Sequence, residues 1–201
     1  MKELEKIRFI TANFTHLKGL QMGVIGLLVF STALWSNRNH GDLTIFILLL
    51  ILAAILSILV ERFYRRVFGR VRTLQKSRQY ETRHSLLFGA SGLAAFIIDT
   101  AEILPFSLLG IVFGVGFWLD YYRINRDIEE KFFTFYPWFS LAMISLSILP
   151  ALGVPIWDAM GFESAYLGVM AACGVLMIVI GVLAHLFLVR SLSPREEDIL
   201  G

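Results

Sequence analysis

The sequence predicts an all-α membrane protein: a polytopic bundle of six transmembrane helices, arranged as three hairpins with both termini in the cytoplasm. Hydrophobic residues make up 57% of the 201-residue chain and charged residues 17%, whereas soluble domains contain about 45–50% and about 25%. The apolar residues also form long blocks, and most basic residues lie between alternate blocks. A soluble core of this size could not bury such blocks, so the composition excludes a soluble domain.

The first 19 residues precede the first apolar block. Leu4, Ile7, Ile10, Phe14 and Leu17 recur at helical spacing in this polar stretch. Such a stripe is typical of a helix that lies in the plane of the membrane interface. We therefore expect residues 1–19 to form an interfacial amphipathic segment.

The apolar blocks define the spans, because a helix needs about 20 apolar residues to cross the hydrocarbon core. As one helix, residues 85–119 would measure about 50 Å, far more than a core of about 30 Å. Asp99, Glu102 and Pro105 lie in the middle of this stretch and favour a turn followed by a new helix. The sequence thus predicts six spans within one transmembrane domain of residues 20–189, at about 20–35, 43–60, 85–98, 103–119, 138–154 and 164–189.

The distribution of basic residues indicates the orientation. With six spans and the N-terminus inside, segments 1–19, 61–84, 120–136 and 190–201 lie inside and hold 17 of the 18 lysines and arginines. Only Arg38 falls outside, as the positive-inside rule requires. Five spans would move the three basic residues after position 119 to the outside. We therefore expect a multi-pass protein of a plasma membrane, of the bacterial inner or cytoplasmic kind, with residues 190–201 as a cytoplasmic tail.

The segment 61–84 is the most basic part of the chain. If the second span continues as helix, Phe63 and Val67 lie on one stripe, and the basic residues fill the opposite arc. Such a helix suits contact with anionic lipids at the cytoplasmic face, or with a protein partner; it also anchors the topology. The candidate contact residues are Arg62, Arg65, Arg66, Arg70, Arg72 and Lys76. Basic residues are too few elsewhere to favour nucleic acid.

Asp99 and Glu102 are three residues apart, so a helical backbone would place them on one face. Acidic groups within a membrane are usually functional. We consider two interpretations of this pair. The first is a solvated turn at the tip of a hairpin, and the second is a cation or proton site at the outer mouth of the bundle.

Gly89-Ala90-Ser91-Gly92 in the third span and His185 in the sixth resemble the serine–histidine dyad of rhomboid intramembrane proteases. The resemblance implies a serine hydrolase, since a histidine within reach can activate a serine. The chain departs from that family, whose serine is on the fourth core helix and whose dyad faces the outer half of the membrane. It also has no intramembrane His-x-x-x-Asn. We therefore expect Ser91 and His185 to make intramembrane polar contacts. Pairs of small residues four positions apart should let helices pack closely, as at Gly19/Gly23, Gly110/Gly114 and Gly168/Ala172.

These observations favour a non-catalytic membrane subunit that packs against a larger transport or signalling assembly. The sequence contains no phosphate-binding glycine loop and no helical His/Glu pair of metal-ligand spacing. Cys173 is the single cysteine, so it cannot form an intrachain disulfide. We expect no enzyme activity, cofactor or metal. The alternatives are a small carrier or channel for a cation or small solute, using Asp99 and Glu102, and an intramembrane hydrolase using Ser91 and His185.

Overall fold

The computed structural model describes residues 18–39, 43–68, 75–126, 131 and 133–192, and all regular secondary structure within these ranges is helical. Apart from Lys18 and Gly19, the interfacial segment expected at residues 1–19 lies outside the described residues. The same holds for the tail after position 192. The described residues form a helix bundle with the bounds α1 Gly19–Asn39, α2 Leu43–Phe68, α3 Gln75–Thr100, α4 Leu108–Ile124, α5 Tyr136–Ile148, α6 Ile156–Ala159 and α7 Ala165–Leu192.

The contact between α1 and α7 is the most extensive helix contact of the bundle. Glycines bring the two backbones together: a Cβ atom built on Gly26 would lie 2.7 Å from the carbonyl oxygen of Gly174. A Cβ atom on Gly181 would lie 2.6 Å from the carbonyl oxygen of Gly19. Because Gly19 lies beside Gly181 and Gly26 beside Gly174, the helices run antiparallel. Side chains at these positions would force them apart, which is why small residues are typical of close helix contacts in membranes.

Helices α3 and α4 form an antiparallel hairpin joined by the non-helical residues 101–107. The rings of Phe88 and Phe113 lie 5.7 Å apart between their centroids. Farther along, Asp99 at the end of α3 accepts a hydrogen bond from the amide of Leu108 at the start of α4. The break thus falls in the stretch where Asp99, Glu102 and Pro105 favoured a turn.

Helix α5 packs against α4 along a pair of glycines. The Ser140 hydroxyl donates to the carbonyl oxygen of Gly114. A Cβ atom on Gly114 would lie 2.8 Å from the carbonyl oxygen of Ser140, and one on Gly110 would meet the Ser147 hydroxyl. The spacing Gly110/Gly114 therefore serves close packing, as the sequence predicted for this pair.

A 3₁₀ turn, Leu149–Leu152, and the short helix α6 connect α5 to α7. Gly153 follows the 3₁₀ turn with φ +70°, a left-handed conformation that glycine adopts without steric cost. The Trp157 ring of α6 is buried against Gly168 of α7, where a Cβ atom would lie 2.5 Å from the ring. The absence of a side chain at Gly168 thus makes room for the tryptophan.

The helices follow one another around the bundle in a different order from the sequence. α7 packs against α1, α5 and α4, whereas α2 packs against α1, and α3 packs against α4. The core side chains accordingly come mainly from α4, α5 and α7, with Met143, Met177, Ile180 and Leu188 among the most buried.

Within the part of the chain that the structure describes, three helices are long and apolar enough to cross a membrane, namely Gly19–Arg38, Thr44–Phe68 and Ala165–Ser191. Two further apolar helical stretches, Leu86–Thr100 and Tyr136–Leu152, are shorter. The all-helical class is therefore confirmed for the described residues, and the helices suggest a membrane protein. The number of crossings and the sides on which the termini lie stay predictions.

Candidate functional site

Asp99 is buried where α3 meets α4. Its Oδ2 atom accepts from the Ser107 hydroxyl at 2.7 Å and from the amide of Leu109 at 3.0 Å. Its Oδ1 atom accepts from the amide of Leu108 at 2.7 Å. The first amides of a helix have no partners within the helix, and a negative charge beside them is favourable. The carboxylate therefore caps α4 together with Ser107, whose own hydroxyl accepts from the amide of Gly110.

Glu102 occupies a different environment from Asp99. It is exposed, with a positive φ of 50° in the turn. Its Oε1 atom accepts a hydrogen bond of 2.6 Å from the hydroxyl of Ser164, which directly precedes α7. The two carboxylates thus bond different elements. Among the described residues, no group of three or more His, Cys, Asp or Glu side chains is placed to hold a metal ion.

Ser91 and His185 have separate hydrogen-bond partners. The Ser91 hydroxyl is exposed and lies 2.9 Å from the carbonyl oxygen of Leu87 and 3.0 Å from that of Phe88, in its own helix. The Nδ1 atom of His185 lies 2.9 Å from the hydroxyl of Tyr64 on α2. The structure therefore does not join Ser91 and His185 by a hydrogen bond, and their geometry is that of two polar contacts to different partners.

Three of the six basic contact residues can be located with their side chains. Arg62, Arg65 and Arg66 are exposed near the end of α2, and Arg65 donates to Glu61 at 3.0 Å. Arg70 and Arg72 lie outside the described residues, and so does the side chain of Lys76. α2 continues without a break to Phe68, so these three arginines lie on the same helix as its apolar residues.

The face of this basic end that packs into the bundle is not the stripe of Phe63 and Val67. Phe63 and Val67 are exposed, whereas Tyr64 is fully buried and Phe68 packs against the core. The rings of Tyr64 and Phe68 stack with their centroids 5.7 Å apart. The stripe was assigned from apolarity alone, and the tyrosine packs inward because its hydroxyl finds polar partners there.

Those partners belong to a polar cluster that the sequence did not reveal, comprising Lys18, Gln21, Glu61, Tyr64 and His185, here called the Glu61–Tyr64 cluster. The Lys18 ammonium lies 2.9 Å and 3.1 Å from the two Glu61 oxygens. Gln21 donates to Glu61 at 2.9 Å. The Tyr64 hydroxyl also lies 3.3 Å from the backbone amide of Leu20, from which it accepts.

The sequence indicated the Lys18–Glu61 pair of this cluster but not the Tyr64–His185 pair. Lys18 and Glu61 are the charged residues that border the first hairpin on its basic side, so an antiparallel hairpin places them at the same level. His185 lies 121 residues from Tyr64. No local pattern relates those two positions, and only the packing of α7 beside α1 brings them together.

A cavity of about 540 Å³ lies between α1, α3, α4 and α7, with Phe46 of α2 also in its wall, and is here called the α1–α3 cleft. Its walls are apolar except at Thr32 and Asp120. The other buried polar side chains of the described bundle mostly bond their own or adjacent helices, as Asp99, Ser140 and Ser147 do. The polar groups of the described helices therefore act mainly in helix capping and packing.

Comparison of the chain with protein-family models, with curated proteins and with solved structures finds no match.

Proposed function

We propose that the chain is a six-span plasma-membrane protein of the bacterial inner or cytoplasmic kind, with both termini in the cytoplasm. The antiparallel hairpin of α3 and α4 supports an even number of crossings, since it returns the chain to the side from which α3 starts. The placement of 17 of the 18 basic residues in the segments assigned to the inside supports the orientation.

Cysteine labelling tests this topology. Cys173 is fully buried, so an impermeant maleimide does not reach it. We expect Glu163→Cys to be labelled in intact cells and Arg126→Cys only after permeabilisation; both positions are exposed. Labelling of Arg126→Cys in intact cells would contradict the proposed topology.

Within that membrane, the chain acts as a non-catalytic subunit that packs against a partner membrane protein. The observation that carries this proposal is the way in which α2 is attached. No residue in its most apolar window of 18 residues is buried, yet the Glu61–Tyr64 cluster fixes its basic end to α1 and α7. α2 is thus held at its basic end and exposes apolar side chains along the rest of its length. This arrangement would allow the helices of a partner membrane protein to pack against it.

The carrier and hydrolase hypotheses receive less support from the geometry. A carrier needs polar groups at mid-depth, whereas the cleft is lined by apolar side chains except at Thr32 and Asp120, and the Asp99 carboxylate caps α4. A hydrolase needs a serine within about 3.2 Å of its base, and Ser91 bonds carbonyl oxygens of α3 instead.

Site-specific photo-crosslinking in cells tests the subunit proposal. A photoreactive side chain at Ile51 or Ile55 on α2 is expected to form one discrete protein adduct. Val179 and Val182 on α7 are matched controls, because they are also apolar and exposed, and they should give lipid adducts without that protein band. Equal adduct patterns from α2 and α7 would contradict a role for α2 as the partner-binding helix.

A further inference from the structure

The segment that joins α5 to α7, residues 149–164, exposes large apolar side chains although it lies outside the long helices; it is here called the α5–α7 connection. Its exposed residues include Leu152, Val154, Ile156 and Met160. Leu152 and Met160 are 69% and 65% exposed, and Asp158 is the single charged residue from position 149 to position 162. Exposed apolar side chains concentrated in one short segment are typical of a surface that contacts a membrane or another protein.

Measured along α7, the α5–α7 connection lies less than one hydrocarbon thickness from the Glu61–Tyr64 cluster. The ion pair of Lys18 and Glu61 would be costly within hydrocarbon, so the cluster lies at the edge of the core or outside it. His185 of the cluster is 17 residues from Gly168, against which Trp157 of the connection packs. A helix of that length spans about 26 Å, and the core is about 30 Å thick. Trp157 therefore contacts α7 no farther out than the opposite edge of the core.

Helix α1 gives the same depth independently. Leu20, whose amide bonds Tyr64 of the cluster, is 17 residues before Asn37. The Asn37 side chain donates to the carbonyl oxygen of Gly161 at 3.0 Å and accepts from the amide of Glu163 at 2.7 Å. These bonds to the connection are thus also about 26 Å from the cluster along the helix. Any tilt of the helices shortens this distance along the membrane normal.

The turn between α3 and α4 meets the connection at the same end of the bundle and has the same character. The amide of Ser107 donates to the carbonyl oxygen of Ser147 at 3.1 Å, and the Ser164 hydroxyl donates to Glu102 at 2.6 Å. Ile103 in this turn is 72% exposed. Two neighbouring connections therefore expose apolar side chains at one end of the bundle.

We propose that the α5–α7 connection is embedded in the outer interface of the bilayer, with Leu152 and Met160 among the acyl chains of the outer leaflet and Asp158 and Glu163 at the level of the head groups. Lipid is the occupant of this apolar surface, because the distances along α1 and α7 place the connection within the thickness of the hydrocarbon core. The inference rests on the membrane insertion proposed above, but not on its direction. A reversed orientation would place the same segment in the other leaflet, so the topology can fail without the lipid contact.

Nitroxide labels on the full chain in phosphatidylcholine vesicles test the proposal. Cys173 is fully buried, so labels attach at Leu152→Cys or Met160→Cys. Power saturation compares collisions with oxygen, which enters hydrocarbon, and with a water-soluble nickel chelate, which does not. We expect an oxygen-to-nickel collision ratio about fivefold higher than for labels at Asp158→Cys and Glu163→Cys. These two are matched controls, because both are exposed polar residues of the same connection.

Two outcomes of the labelling would overturn the proposal. Equal ratios at the apolar and acidic positions would mean that the connection projects into water. Labels at Leu152→Cys and Met160→Cys that meet neither oxygen nor the chelate would mean that a second copy of the chain covers this surface.

A second measurement uses the unmodified chain, in case a label disturbs the fold. Phosphatidylcholine with a photoreactive diazirine in its acyl chain is expected to form adducts with residues 149–162 as well as with α2. α2 is the positive control, because no residue of its most apolar window is buried. Adducts on α2 without adducts on the connection would also overturn the proposal.

Discussion

Helices α2 and α7 are almost equally apolar, but they occupy opposite positions in the bundle. Their candidate spans have mean hydropathies of 2.8 and 2.7, yet 0% of the α2 window is buried and 39% of the α7 window. The difference lies in side-chain size. α7 presents Gly168, Gly174, Gly181 and Ala184 to its neighbours, whereas α2 is rich in leucine and isoleucine. In a membrane, lipid covers apolar side chains as well as protein does, so small residues rather than hydropathy select the central helix.

Enlarging a glycine of α7 is expected to have the largest effect on this comparison. Gly181→Leu would drive a side chain into the backbone of Gly19 and Gly23. We expect it to lower the free energy of unfolding by about 3 kcal/mol, at the upper end for overpacking. Unfolding by a denaturing detergent, followed by circular dichroism, measures the loss.

Ala54→Leu on α2 is the control for that variant, because Ala54 is exposed. It should change the free energy of unfolding by less than about 0.5 kcal/mol. Similar losses for both variants would show that small residues do not distinguish the two helices.

Removing the hydroxyl of Tyr64 tests whether α2 is held by polar bonds at its end. Tyr64→Phe leaves the amide of Leu20 and the ring nitrogen of His185 without this partner. We expect a loss of about 1.5 kcal/mol, because both partners are only partly buried. Tyr122→Phe, at an exposed tyrosine of α4, should be neutral in the same unfolding assay. A neutral Tyr64→Phe would mean that α2 is held by other contacts.

The smallest expected effect concerns α3, the other helix that packs mainly against a single neighbour. Asp99→Asn keeps one side-chain oxygen as an acceptor but removes the negative charge at the start of α4. It also replaces the second oxygen, which accepts hydrogen bonds in the wild type, by an amide nitrogen that donates. We expect a loss of about 1 kcal/mol. Asp158→Asn, at an exposed aspartate, is the control in the same assay. Equal stability of the wild type and Asp99→Asn would show that the cap does not hold the hairpin.

The sequence was informative where a single residue constrains its own segment. Pro105 and the two acidic residues beside it indicated a break in a stretch too long for one span, and the helices do end at Thr100 and restart at Leu108. The pair Gly110/Gly114 likewise indicated close packing. In these cases, the local chemistry of the residue determines its role.

Long-range relations could not be inferred in the same way. Nothing near Asp99 shows that its carboxylate is buried against three donors, because this depends on how α4 starts beside α3. Phe63 and Val67 form the apolar stripe at this end of α2, but nothing in the stripe shows that Tyr64 packs inward beside His185 of α7. Such contacts need the order of the helices around the bundle, and hydropathy carries no information about that order.

The glycine contact between α1 and α7 has a consequence for biogenesis. Since a ribosome makes α1 first of the described helices and α7 last, α1 must wait for its principal neighbour until the rest of the described bundle has been synthesised. During that interval Gly19 and Gly26 lack the helix that covers them in the folded bundle. The contact can therefore close only after α7 has been made, and a chain arrested before α7 would leave the glycine face of α1 without its principal neighbour.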